Sequence, residues 1–361
     1  MFDDIKDVLK VKPGLTGRQI ARNIGEERKV VNSFLSKNLD SFEKDDDHCW
    51  TLKQVSITKV EFPSKWVDEH IFEKSLKPLN VDSIDSLKEI HFIFPEDCKF
   101  LLIAIARFLA LANQLKDGGY NITIDMGECR NTLNFFSRNG FFDYLDDKIK
   151  TIPARPKSSL AKRYQGNSKT MLELGDIDPN ERNRELIILL GERFIENSSE
   201  QYALAAKTVF SELIGNVKDH SDSKIIGLAG LQLYKGKNKH IQTIVSDSGV
   251  GIAATLRSTL KETHPKLYKK YRVDNSENNA QLVLHAFTKG EVSRYGKGRG
   301  LGFKSSREHA TKDRALISIR QEDFSIELEY INGDKISSNI TQNLSKISGT
   351  HICFDFYIDN F

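Results

Sequence analysis

The chain is short of cysteine, of long apolar runs and of net charge, and each shortage excludes something. Its four cysteines (Cys49, Cys98, Cys129, Cys353) lie far apart with no C-x-x-C pair, so neither a zinc site nor a disulfide framework is expected. The longest apolar stretch, Phe100 to Ala112, is interrupted by Arg107 and is too short to span a bilayer. The N-terminus, MFDDIKDVLK, lacks the basic flank, apolar segment and small-residue cleavage site of a signal peptide. Lys and Arg number 53 against 50 Asp and Glu, a net charge of +3, so no whole-molecule basic field points to nucleic acid. Any such contact must come from a local patch. A G-x-x-x-x-G-K-[ST] phosphate loop is absent, as is any internal repeat. These absences predict a cytoplasmic protein with reduced thiols and no membrane partner.

What is present is enough for two or three domains, since 361 residues at 39% hydrophobic and 29% charged is a globular composition. Residues 1–55 read as a winged helix-turn-helix. Ile5, Val8 and Leu9 share a helix face, Thr16 caps a second helix, and Lys29 to Leu39 supplies a third with Val30, Val31, Phe34 and Leu35 inward. A charged loop from Glu43 to Asp47 then separates two short strands. Residues 56–87 form a connector without an assignable pattern. Residues 88–150 alternate strand and helix: Ile90 to Phe94, a mostly buried helix from Phe100 to Leu115, Tyr120 to Met126, and a helix around Leu133 that stops at Asn139-Gly140. Residues 151–172 make a basic linker; from Lys148 to Lys169 there are seven basic residues and no acidic one, a solvated stretch or a phosphate-contacting stripe. Residues 173–361 form the last domain.

That last domain holds three short motifs. A helix from about Ser199 to His220, with Ser198 or Ser199 as its cap and Leu204, Val209, Leu213 and Ile214 as its apolar stripe, carries Glu212, Asn216 and His220 at i, i+4, i+8. They form a polar row on one face, and polar groups beside a core require partners. A strand, Ile241 to Val245, delivers Asp247 into D-S-G-V-G, where Gly249 and Gly251 allow a tight turn. Gly296, Gly298, Gly300 and Gly302 then fall in seven residues ahead of a helix beginning near Phe303, a setting in which exposed backbone amides attract phosphate. A dinucleotide-binding loop is excluded, because no strand directly precedes these glycines and their spacing differs from G-x-G-x-x-G. Arg314 to Gln321, Ser325 to Ile331 and His351 to Ile358 read as strands, the last opened by Gly349-Thr350.

In this order, E-x-x-x-N-x-x-x-H, D-x-G-x-G and G-x-G-x-G-L-G resemble the sequence boxes of the GHKL superfamily, whose ATP-binding domains have the Bergerat fold. Its members include gyrase B subunits, heat-shock chaperones, histidine kinases, MutL-type repair proteins and anti-sigma-factor kinases. The resemblance implies an α/β fold, a layered sandwich of helices on a sheet, with ATP and Mg2+ as cofactors. It implies that Asn216 coordinates Mg2+, that Glu212 orients or deprotonates the attacking nucleophile, and that Asp247 accepts a hydrogen bond from adenine. Gly249 and Gly251 would approach the base, and Thr350 would lie near it. Lys297, Gly298, Arg299, Gly300, Leu301 and Gly302 would contact the phosphates. The residues between the second and third boxes, with Lys289, Arg294, Lys297 and Arg299, match the loop that closes over ATP.

Residues 88–150 resemble the STAS-like modules found ahead of ATP-binding domains in some bacterial regulators. The first 55 residues resemble small domains with an L-T-x-x-Q-I-A core. Through Arg28, Asn32 and Trp50 they also resemble Z-DNA-binding winged helices, although Ser36 replaces the usual tyrosine and the wing prolines are missing. Arg18, Arg22, Arg28, Lys29 and Asn32 are candidates for DNA contact, set against an acidic wing of Glu43, Asp45, Asp46 and Asp47 that favours a protein partner. Residues 173 to 200 contain no histidine, which disfavours a self-contained histidine kinase. Two functions remain: a switch in which ATP binding and slow hydrolysis alter engagement of DNA or a partner protein, and a serine/threonine kinase of the anti-sigma-factor type. The kinase would act on a partner or on its own STAS-like segment, at Ser137 or Thr132. Many members of the superfamily act as homodimers.

Overall fold

A computed structural model describes residues 1–39, 41–53, 57–80, 89–220, 223–289 and 314–358. They form a mixed α/β structure in two compact units, Met1–Ile57 with Ile84–Glu89, and Thr58–Ser83 with Ile90–Phe361. The expected divisions at residues 150 and 172 both lie inside the second unit. Among the described residues no helix is long and apolar enough to cross a membrane.

The first unit runs α1 (Phe2–Val11), β1 (Leu15–Thr16), α2 (Gly17–Ile24), α3 (Arg28–Lys37), β2 (Phe42–Lys44) and β3 (Cys49–Leu52). Thr16 caps α2 reciprocally: its hydroxyl accepts from the Gln19 amide while the Gln19 side chain accepts from the Thr16 amide at 2.8 Å. Gly25 ends α2 in the left-handed region, where a side chain would be strained. The three strands pair antiparallel in the order β1-β3-β2, and Ile5, Leu9, Ile20, Val31, Leu35 and Trp50 close the core. Val30, expected to face inward, is exposed, because neighbouring Val31 takes the core position and the adjacent residue lies about 100° round the helix.

The second unit begins with β4 (Ile57–Glu61), β5 (Trp66–Val67), α4 (Glu69–Ser75), a 3-10 turn (Lys77–Asn80), β6 (Glu89–Ile93), β7 (Lys99–Phe100) and α5 (Leu102–Asp117). It continues with β8 (Asn121–Asp125), α6 (Arg130–Asn139), α7 (Phe141–Tyr144), β9 (Lys150–Ile152) and α8 (Leu160–Arg163). Next come β10 (Met171–Ile177), α9 (Arg184–Asn197), α10 (Ala203–His220), β11 (Gly227–Tyr234), β12 (His240–Asp247), α11 (Gly251–Thr263), α12 (Pro265–Tyr271) and α13 (Ser276–Lys289). Four strands close the unit: β13 (Ala315–Glu322), β14 (Phe324–Ile331), β15 (Asp334–Thr341) and β16 (Ile347–Tyr357). The connector thus holds α4 and parts of two small sheets, and the basic linker holds α8 and follows the edge strand β9.

Seven strands form one antiparallel sheet in the order β10-β11-β12-β16-β13-β14-β15. Apolar residues of α9, α10, α11 and α13 cover one face, with Phe194, Phe210, Leu213, Val283 and Phe287 against Ile319, Ile326 and Phe354. On the other face lies α5, packed between this sheet and the four-stranded sheet β4-β6-β8-β9. Burial on both sides explains why α5 is apolar nearly all round; every residue from Leu102 to Ala112 is buried, Arg107 included.

Candidate functional site

Strand alternation puts Ile241, Val245 and then Asp247 of β12 on the helix-covered face. Asp247 pairs with Thr350 of β16, and Thr350 with Gln321 of β13, so three polar residues make a row across the end of a mostly apolar face, Thr243 being a polar residue farther in. All three are buried. Gln321 Nε2 donates to the Thr350 hydroxyl at 2.8 Å, and its Oε1 accepts from the Ala253 amide at 3.1 Å. Asp247 Oδ1 accepts from the Gly249 amide at 2.7 Å, and the Thr350 amide also supports the carboxylate. Burial outweighs these bonds and pushes the carboxyl up to about 6. No ion pair of Asp247 occurs among the described residues, so it is an acid held in a dry setting by amides alone.

Two glycines make this row possible. Gly349 has φ +91°, and a Cβ there would lie 2.1 Å from the Asp247 carbonyl oxygen, closer than any real contact. Gly251, at φ +79°, opens α11 with the Gln321 side chain 3.0 Å from where a Cβ would be. Both positions therefore favour glycine on conformation, and at Gly349 a side chain is excluded on space as well.

On α10, Val209, Leu213 and Ile214 are buried as the stripe predicts, but Leu204 is exposed. The helix begins at Ala203 after a short 3-10 turn, and Ser199 makes no capping bond from its side chain, so the expected start is displaced by one turn. Glu212 and Asn216 are half-buried, and Asn216 Nδ2 is buried with no hydrogen-bond partner among the described residues. A buried amide without a partner is costly, and it is the kind of group that a phosphate or water oxygen satisfies. Val217 lies against Gly227 at the start of β11, where a Cβ would come within 2.7 Å of it; Leu228, the next residue, pairs with Ser246 beside Asp247. This close approach seats the Asn216 turn of α10 against the strand neighbouring Asp247. The His220 side chain lies outside the described part.

Gly296 to Gly302, with Lys297, Gly298, Arg299, Gly300 and Leu301, and also Arg294 and the helix expected at Phe303, lie outside the described residues. The segment expected to close over the nucleotide is mostly helical in its described part: α11, α12 and α13 fill it, and Lys289 is the last residue of α13. Apolar residues of α11, α12 and α13, including Leu256, Leu260, Tyr271 and Leu282, form a small core of their own, which is why this part is not an open loop.

In the first unit Arg18, Arg22, Arg28 and Lys29 are exposed, as are Glu43, Asp45, Asp46 and Asp47. Asn32 is half-buried, its amide packed against Gly17, where a Cβ would lie 1.9 Å from Asn32 Oδ1; it serves the crossing of α2 and α3. Ser137 and Thr132, the candidate phosphate acceptors, are both buried, and the Thr132 hydroxyl donates to the Cys98 carbonyl. Burial corrects their candidacy, since neither hydroxyl is presented to a partner.

Gln321, Gly251 as a packing residue, and Gln114 were not legible as site residues. Gln114, on α5, donates to Ser248 Oγ at 2.8 Å and to the Ser348 carbonyl at 3.0 Å, and accepts from the Ser348 amide at 2.8 Å. It clamps together the two loops that flank Asp247 and Thr350. On this second side a cavity of about 400 Å³ opens, lined among others by Ala106, Ala110, Asn113, Tyr144, Ser246 and Ser248; none of the sequence-predicted site residues lines it.

No protein-family model matches the chain, and no curated protein matches it. Among solved structures, the N-terminal domain of a DNA repair protein is similar over 48% of this chain and 41% of that chain, with 16% identity and a TM-score of 0.20. The match therefore spans less than half of that neighbour's length, and a likeness this slight carries no argument about fold or function.

Proposed function

We propose that the chain is a nucleotide-dependent regulatory protein of the GHKL type, with a Bergerat-fold ATP-binding domain, a STAS-like segment packed on that domain's sheet, and an N-terminal winged helix. The observation that carries this reading is the buried row Asp247–Thr350–Gln321, with Gly349 and Gly251 shaped around it and an orphaned amide, Asn216 Nδ2, on the adjoining helix. A carboxylate held by amides in a dry setting suits recognition of an exocyclic amine. The residues fit ATP with Mg2+: Asp247 and Thr350 would hold the base, Asn216 would offer its amide oxygen to Mg2+, and Glu212 would polarise water. Magnesium keeps several waters and needs few protein ligands, and the bound ion would neutralise charge on the phosphates during transfer to water. Lys297 and Arg299 are proposed as phosphate contacts from the sequence alone.

The switch is preferred to self-phosphorylation because Thr132 and Ser137 are buried. DNA or a protein is the proposed partner of the first unit, through Arg18, Arg22, Arg28 and Lys29, which its surface leaves exposed. The test is calorimetric titration of Mg-ATP into the wild type and Asp247→Asn. Binding in the wild type, weakened on the order of 100-fold in the variant (a charged hydrogen bond of about 3 kcal/mol), supports the reading. Equal affinity in both proteins removes it. With γ-labelled ATP, free phosphate that disappears in Glu212→Ala supports hydrolysis, while label on protein supports the kinase.

A further inference from the structure

A second constellation lies away from the Asp247 row, on the opposite face of the large sheet. Glu69 and His70 open α4, and Glu327 projects from β14; one ligand atom of each lies within 4.8 Å of the others. His70 Nε2 stands 3.4 Å from Glu327 Oε1, about the edge length of a tetrahedron with bonds of about 2.0–2.1 Å. The set is one imidazole and two carboxylates.

Glu69 supplies the independent observation. It is only 7% exposed, yet its carboxylate has no hydrogen-bond or ion-pair partner among the described residues. Buried carboxylates are normally paired or ligate a metal. Neighbouring cations do not serve it: Arg107 and Arg320 are both engaged by Glu73, at 3.2 and 2.9 Å. A further carboxylate, Asp355, lies near enough for Glu69 to act on it electrostatically, and among the described residues is bonded by Gln242 at 2.9 Å and, weakly, by the Cys353 thiol. A plain His–Glu ion pair would leave Glu69 with no counter-charge. The His70 side chain is 63% exposed, so an ion can reach the cluster from solvent.

We propose that Glu69, His70 and Glu327 bind one divalent transition-metal ion of the zinc class, with water completing the coordination. Mixed imidazole and carboxylate donors suit this class, whereas Mg2+ and Ca2+ favour oxygen alone. The ion fastens α4 to β14 and balances the charge beneath it. It is separate from the nucleotide's magnesium and does not depend on ATP binding.

The test uses the full chain, freed of metal with a chelator and titrated with ZnCl2 alone, without nucleotide or magnesium. His70→Ala removes an exposed ligand with little risk to folding, and Glu327→Gln is isosteric; circular dichroism checks both. The expected result is one tight equivalent in the wild type, weakened in each variant by at least the ~10–100-fold that loss of an outer-shell partner costs. Bound Co2+ should show visible ligand-field absorption without near-ultraviolet thiolate charge transfer. No tight equivalent in the wild type, undiminished affinity in both variants, or a thiolate band placing the metal on cysteine would each overturn the proposal.

Discussion

On β16, Ile352 and Phe354 enter the apolar core beneath α9, α10, α11 and α13, while His351 and Asp355, just before and just after them, face α5 and α4. The helix-covered face is mostly apolar, Thr243 apart, until its end, where Asp247, Thr350 and Gln321 stand in line. The opposite face carries polar groups through its middle: Ser246 bonds His351 at 2.6 Å, Gln242 donates to Asp355 at 2.9 Å, and Arg107 donates to Ser318 at 2.8 Å. Burial keeps His351 neutral, its pKa pushed down to about 3, with Arg107 and Arg320 adding to the effect. Most polar groups on that face satisfy one another, Arg107 Nε and the Glu69 carboxylate excepted, which holds α5 and α4 in one arrangement. On the helical face the polar groups are few, and the adjoining Asn216 amide is left over. Satisfied networks read as structure; a leftover buried donor beside a dry acid reads as a site.

Removing Glu73, the carboxylate shared by two buried arginines, strikes the centre of the second face's network. Glu73→Ala leaves Arg107 and Arg320 without their carboxylate, and removal of one partner of a buried ion pair costs about 3–5 kcal/mol. Denaturant unfolding should show a loss of that size, with ATP affinity kept in the protein that remains folded. A loss near zero would mean that water or relaxation already serves these charges, and the second face would no longer count as a self-satisfied network.

Asp247→Asn should move in the other direction. The folded carboxyl titrates near 6 against an ordinary 3.8, so the folded chain holds this proton where the unfolded chain has released it. Stability therefore falls as pH rises from about 4 to 6, and the full penalty, up to about 3 kcal/mol, is present above pH 6. Asparagine keeps an oxygen for the Gly249 amide and carries no charge. Without nucleotide the variant should melt higher than the wild type at pH 7.5, and the gain should vanish below pH 4. A variant that is less stable at pH 7.5 would mean that the carboxylate is held for structure.

The sequence made one face far more legible than the other. Glu212 and Asn216 show because helical spacing gathers residues four apart, and Asp247 shows because a strand of buried residues ends in D-S-G. Thr350 was visible only through its place in a motif. Arg107, Glu73 and Arg320 meet across separations of 34 and 247 residues, and no local pattern encodes that meeting. Arg107 looked like an interruption in an apolar run and is instead the polar centre of a helix buried on both sides. β15 escaped notice because seven of its eight residues are exposed, leaving no alternation to read. Glu69 and His70 sat in a connector with no pattern, and only folding brings them to Glu327.

Gln114 tests whether the two faces are independent. It belongs to α5, on the second face, yet its three bonds fix Ser248, the residue after Asp247, and Ser348, two residues before Thr350. Gln114→Ala removes all three at a half-buried position where water can replace part of them, so the stability loss should be modest, about 1–2 kcal/mol. Its effect on ATP is the informative quantity. If the clamp holds the Asp247 and Thr350 loops in their binding geometry, the freed loops must be ordered again on binding, and affinity should fall roughly 3–10-fold through the cost of that ordering. Calorimetry should then show a less favourable binding entropy. Unchanged affinity beside a measurable stability loss would mean that the loops are set by Gly349 and the sheet register alone. In that case α5 supports the sheet without reporting to the site, and a signal passing from the second face to the nucleotide would need another route.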